Sequence, residues 1–166
     1  MRIFLVLSTV ILILSHLQCA RKSSQVVPTK PKQNNTAKED PKKSTKMHFV
    51  DKILLSEVLK IAVEKQKLVF VDVNAKWCTP CKMMKKDVYS HDATADFFNR
   101  NFVNHYVDIE MDEGPDIKLI YDIHELPTLL ILDGKGRVVD KHSGALYHKD
   151  LLLFAESAID KYRQQN

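Results

Sequence analysis

Val71-Asp72-Val73-Asn74-Ala75-Lys76-Trp77-Cys78-Thr79-Pro80-Cys81-Lys82 is the stretch on which the reading of this 166-residue chain turns. Upstream, Leu68–Val73 is a β-branched and aromatic run of the kind that forms a buried strand. Downstream, Thr79-Pro80 marks a helix start, and apolar Met84, Val88, Ala95 and Phe98 carry that helix to about Asn99. Two thiols three residues apart at a helix start can close a disulfide. Unpaired N–H groups and the helix dipole there favour a thiolate on the first cysteine. Lys76 and Lys82 add positive charge. Cys78 is therefore expected to be the exposed nucleophile, and Cys81, one turn on, the more buried resolving thiol.

Metal and haem chemistry fit this stretch poorly. A structural zinc needs four ligands, and the chain has only three cysteines and no second CxxC. The seven histidines show no paired ligand spacing, so no metal is expected. A c-type haem attachment needs histidine where Lys82 stands. A purely structural disulfide stays open as the alternative. Four glycines, without GxGxxG or GxxxxGK[ST], give no phosphate loop.

Working outward, the spacing predicts a helix over 56–65 with Ser56 as N-cap, and a second strand over 102–109. A short helix over 115–121 follows, opened by Gly114-Pro115. A third strand over 128–132 turns at Gly134-Lys135-Gly136 into a fourth over 137–141. An amphipathic helix over 148–162 closes the chain. The order α-β-α-β-α-β-β-α implies parallel crossovers ending in an antiparallel hairpin. The expected fold class is α/β, a mixed central sheet of about four strands with helices on both faces. Phe70, Phe97 and Phe98 read as core.

The quoted stretch resembles the active-site segment of the thioredoxin superfamily. Leu126-Pro127-Thr128 resembles that family's cis-proline loop, and Ser143-Gly144-Ala145-Leu146 its segment before the last helix. The likeness runs over about residues 50–163. It is nearest to the exported branch that includes the C-terminal domain of membrane disulfide-interchange reductases. The resemblance implies a thioredoxin fold. It also implies that Asp72, six residues before Cys78 on a buried strand, accepts the proton of Cys81. Burial by itself should raise such a carboxyl's pKa. Pro127, if cis, would set the Leu126 main chain beside Cys78 to pair with an extended substrate, and Trp77 beside the thiols would offer an apolar docking surface. The sequence also departs from the family. Thr79 stands where many cytoplasmic members have glycine, and Asn74 where a large aromatic residue is usual. Asp108 stands where a lysine often neighbours the buried aspartate, so Asp108 is expected to push Asp72 further up.

The N-terminus reads as an address. Met1-Arg2 precedes an apolar run, Ile3–Leu14, too short for a comfortable membrane span. Cys19 follows in a zone that resembles a bacterial lipoprotein signal. Lipidation of Cys19, cleavage after Ala20, or a retained anchor are the three readings, and each puts the domain outside the cytoplasm, in a bacterial periplasm or envelope. Residues 21–46, rich in Lys, Pro and Ser, read as a disordered tether. The net charge of +4 divides into +1 on residues 1–20, +6 on 21–46 and −3 on the domain over 47–166. The basic balance thus lies outside the domain, and no nucleic-acid partner is expected.

The expected activity is extracytoplasmic reduction of protein disulfides through the Cys78/Cys81 dithiol, with no organic cofactor. The expected partners are disulfide-containing exported proteins, a membrane thiol-reducing electron donor and, through Cys19, the membrane. A monomer is expected. The alternatives are a disulfide oxidase or isomerase, and a peptide-binding lipoprotein module without catalysis. CxxC proteins span about −270 to −120 mV, so residue types alone do not fix the direction.

Overall fold

The computed structural model describes residues 46–165. The expected signal segment, Cys19 and the tether up to residue 45 lie outside the described residues. Five strands, β1 (Phe49–Val50), β2 (Leu68–Asn74), β3 (Phe102–Asp108), β4 (Thr128–Leu132) and β5 (Val138–Ser143), form one sheet in the order β1-β3-β2-β4-β5. The first three are parallel to one another; β4 runs antiparallel to β2, in register pairs such as Asp72 with Leu129, and β5 pairs antiparallel with β4 and so points the same way as the first three. The helices are α1 (Leu55–Glu64), α2 (Thr79–Met83), α3 (Asp92–Asn101), α4 (Gly114–Ile120) and α5 (His148–Gln165).

Alternation along β2 builds two cores. Val69, Val71 and Val73 face α1 and α4, where they meet Val58, Ala62, Ile117, Leu130 and Leu132. Leu68 and Phe70 face the other way, toward Met84, Phe98, Leu151 and Ala155 from the helices on that side. Asp72 shares the parity of Leu68 and Phe70, so the strand pattern turns a carboxyl into this second core.

Four features differ from the expectations, the fourth being the bounds of the hairpin strand. The sheet has a fifth strand, β1, only two residues long; Phe49 on it stacks on Tyr106 with ring centroids 3.8 Å apart. The helix expected over 81–99 is broken. After α2, Met84–Val88 forms a π-helical turn, and the Tyr89 N–H donates to the Met84 carbonyl across the wider loop. The helix ends there because Tyr89 turns into the core and its carbonyl accepts the Met47 N–H instead, while His91 is extended and restarts the chain as α3. Thirdly, Ser56 does not cap α1. The N-cap is Leu54, and the orphan N–H of Leu55 donates 2.5 Å to the Glu113 carboxylate, 58 residues away.

The hairpin strand begins at Val138 and runs to Ser143, later than expected, because Asp133 Oδ1 accepts the N–H groups of Lys135 and Arg137 and extends the turn. Gly114 opens α4 against the β3 exit. A Cβ there would lie 1.9 Å from the Asp108 carbonyl oxygen, so only glycine fits.

Candidate active site

Cys78 ends the loop after β2 and is the N-cap of α2. Its Sγ accepts the Cys81 N–H at 3.2 Å, and a proline lies in the first turn, where its missing N–H costs nothing. The two cysteines are joined by a disulfide, with their Cα atoms 5.3 Å apart. Both are buried, Cys78 at 2% exposure and Cys81 at 5%. The expectation of an exposed first thiol thus does not hold in the oxidised state. The closed bond folds both side chains against Ala75, Ile109 and Leu126.

Leu126-Pro127 is a cis peptide. Pro127 is buried, and its carbonyl accepts the Gly144 N–H at 2.8 Å, tying the loop to the segment before α5. Leu126 is half-buried and packs on the cysteine cluster. Trp77 lies on the surface, next to the disulfide in sequence. It stands 62% exposed, with its indole N–H donating to Glu110 at 3.0 Å.

Asp72 is 1% exposed. Its Oδ2 accepts the Tyr89 hydroxyl at 3.0 Å, while Oδ1 has no hydrogen-bond partner among the described residues. Burial pushes the carboxyl up to about 7, against the pull of the Tyr89 hydrogen bond and of the Lys85 charge. The same burial, with the Asp72 charge beside it, holds Tyr89 well above the ordinary phenol value. Asp108 is not the neighbour that acts on Asp72. The register sets Tyr106 opposite Asp72 and moves Asp108 one pair further, opposite Asn74, where its Oδ1 accepts the Glu110 N–H. The nearby charge is instead cationic and comes from Lys85, whose ammonium also lies 5.1 Å from the centre of the Tyr106 ring.

Asp72 and Cys81 line one cavity of about 980 Å³, whose walls include Lys82, Lys85 and Tyr106. Among the described residues no group of three or more His, Cys, Asp or Glu is arranged to hold a metal ion. Sequence reasoning missed Tyr89, Lys85 and Tyr106. One signal was present: Cys81, Lys85 and Tyr89 follow at intervals of four, which puts them along one helical face.

The family model Thioredox_DsbH, described as "Protein of unknown function, DUF255", matches residues 46–130. The chain belongs to this thioredoxin-like family. Its relatives include a thioredoxin of Chlorobaculum thiosulfatiphilum, 35% identical over 96 residues that cover 58% of this chain and 80% of the relative. The solution structure of a disulphide-isomerase candidate from Bacteroides thetaiotaomicron is 36% identical, with a TM-score of 0.63 over 70% of this chain and 95% of that one. A DsbH oxidoreductase superposes with a TM-score of 0.61 over 76% of this chain and 93% of its own; at 15% identity that likeness is one of fold. The Thioredox_DsbH domain thus has the expected thioredoxin fold, and the chain is a member of the thioredoxin-like disulfide oxidoreductases with a CxxC pair at Cys78 and Cys81.

Proposed function

We propose that the chain is an extracytoplasmic protein-disulfide reductase working through Cys78 and Cys81. The observation that carries the reading is the grouping at the α2 N-terminus: a disulfide capped by a helix start, with Asp72 and Cys81 on the wall of one cavity. In the reduced protein the Cys78 thiolate attacks a substrate disulfide, and the first substrate sulfur leaves as a thiolate. Cys81 then loses its proton to Asp72 and attacks Cys78 Sγ. The bond between Cys78 and the substrate breaks, and the second substrate sulfur departs. Two electrons pass from the protein dithiol to the substrate, leaving the protein as the disulfide described above. A carboxyl with a pKa near neutrality suits proton acceptance at the resolving step. No organic cofactor is required. An external dithiol, for which a membrane thiol-reducing protein is the natural class, restores the starting state.

Leu126 and Pro127 form the docking edge for an extended segment of substrate, since the Leu126 main chain has no hydrogen-bond partner among the described residues. Trp77 offers an exposed aromatic face on the approach to it. Export rests on the pattern of residues 1–20, with Cys19 as a lipid anchor, and mass measurement of the native N-terminus decides between a lipidated Cys19 and a chain that starts after Ala20. Isomerisation is a second reading, favoured by the description of the Bacteroides relative.

The test is dithiothreitol-driven reduction of a disulfide-bonded protein. Wild type is expected to turn over, and Cys78→Ser to lose the activity entirely. Activity retained by Cys78→Ser contradicts the redox reading and leaves a binding module.

A further inference from the structure

The two oxygens of Asp72 stand in unlike surroundings. Tyr89 comes from the end of the π turn and places its hydroxyl 3.0 Å from Oδ2. Oδ1 is buried and unpartnered. Two other buried side-chain oxygens share that condition, on Thr94 and Asn104, but neither residue lines the cavity that Asp72 shares with Cys81. An orphaned carboxylate oxygen in a low-dielectric site is costly unless something is to be placed on it.

We propose that Tyr89 is a positioning residue for the reaction: its hydroxyl holds Oδ2 of Asp72, so that Oδ1 is kept as the oxygen that takes the Cys81 proton. The proposal rests on the reading of Cys81 as the resolving thiol. Tyr89 is itself locked in place. Its ring meets Phe70 edge-on at 6.2 Å and Phe49 at 5.2 Å, and its main-chain carbonyl accepts the Met47 N–H. The π turn is what makes this reach. It adds a residue to the helical loop, with Tyr89 N–H meeting Met84 at five residues' spacing.

The electrostatics around Asp72 come from each element packed on it. The π turn brings Lys85, β3 brings Tyr106, and β4 brings apolar Leu129. The farther cavity walls carry charges of both signs: Lys52, Lys76 and Lys82, and Asp51, Glu57, Asp108, Asp112 and Glu113, with His105 among them. Lys85 and the Tyr89 hydroxyl both favour the ionised carboxyl, so the loss of either should require a higher pH before Asp72 can accept a proton.

The experiment is the pH dependence of mixed-disulfide resolution, followed by stopped flow, for wild type, Tyr89→Phe, Lys85→Met and Asp72→Asn. Carbon-13 NMR titration of the Asp72 carboxyl in the reduced wild type, Tyr89→Phe and Lys85→Met accompanies it. Tyr89→Phe keeps the ring and its packing and removes only the hydroxyl. Its acid limb and its carboxyl titration are expected to move up together by about 0.5–1 pH unit, the equivalent of one modest hydrogen bond. Lys85→Met is expected to move both the same way by less, and Asp72→Asn to remove the limb near pH 7 and slow resolution about 100-fold. A Tyr89→Phe midpoint unchanged or lowered overturns the proposal. That result is separate from failure of the reductase reading, which shows as activity surviving in Cys78→Ser whatever the Asp72 carboxyl does.

Discussion

Two polar clusters, rooted on opposite faces of the same sheet but lining one cavity, are finished differently. On the α1/α4 face, the Glu113 carboxylate accepts the N–H of Leu55 at the start of α1 and lies 3.9 Å from Nε2 of His105. His105 in turn places Nδ1 2.8 Å from the Val50 carbonyl. Each of these groups has a partner, and together they join β1, β3, α1 and α4. On the other face, Asp72 is deeper, its pKa is displaced to about 7, and one oxygen has no partner. The first cluster resembles a fastening, and the second a site in which stability has been given up for reactivity. Burial tells the two carboxylates apart: Glu113 makes both contacts through Oε1 and keeps about a quarter of its side chain exposed, whereas Asp72 is fully enclosed with Oδ1 orphaned.

The comparison breaks most plainly on stability against pH. In the folded protein Asp72 holds its proton to about pH 7, while in the unfolded chain it loses it near pH 4. Between those values the folded state binds more protons, so stability falls as pH rises through that window. Full ionisation costs on the order of 4 kcal/mol. Asp72→Asn is therefore expected to be more stable than wild type at pH 8 by up to about that amount, and nearly equal to it at pH 4, in denaturant titrations at the two pH values. A variant less stable than wild type at pH 8 would make Asp72 a fastening like Glu113.

Glu113→Ala is expected to act in the opposite direction. It removes the acceptor for the α1 N-terminus and should cost about 1–2 kcal/mol at pH 8, read from the shift of the urea midpoint. Reductase activity per folded molecule should stay as it is. A loss of activity without a loss of stability would erase the division between the two faces.

Smaller still is the effect expected at the rim. Trp77→Ala should change stability by less than about 0.5 kcal/mol, because the ring is 62% exposed. It should raise KM for a folded protein disulfide and leave the reduction of a small disulfide unchanged. Equal effects on both substrates would remove Trp77 from docking.

The site's local part could be read from the sequence, and its non-local part could not. Cys78 and Cys81 could be read from their spacing at a helix start, and Asp72, on the same strand–loop–helix segment, from the family resemblance. The cis geometry at Pro127 followed from the family resemblance. The parity of β2 was ambiguous, since valines flank Asp72 on both sides, and the sheet resolved it by placing Leu68 and Phe70 on the same face. Tyr89 and Lys85 share a four-residue spacing with Cys81, but their reach to Asp72 depends on a π turn, which hydrophobic periodicity does not show. Asp108 was set beside Asp72 by analogy, and a register of one pair moved it to Asn74. Strand β1, at two residues, is too short to show alternation and exists through its pairing with β3. The α1 cap escaped for a similar reason, since its acceptor lies 58 residues away.

The most direct measurement of the central claim is the reduction potential of the Cys78/Cys81 couple, titrated against defined ratios of reduced and oxidised glutathione. The account predicts a single two-electron transition toward the thioredoxin end of the scale, about −270 mV. A transition near about −120 mV would make the protein an oxidant and contradict it. The absence of any transition would leave Cys78 and Cys81 as a structural bridge.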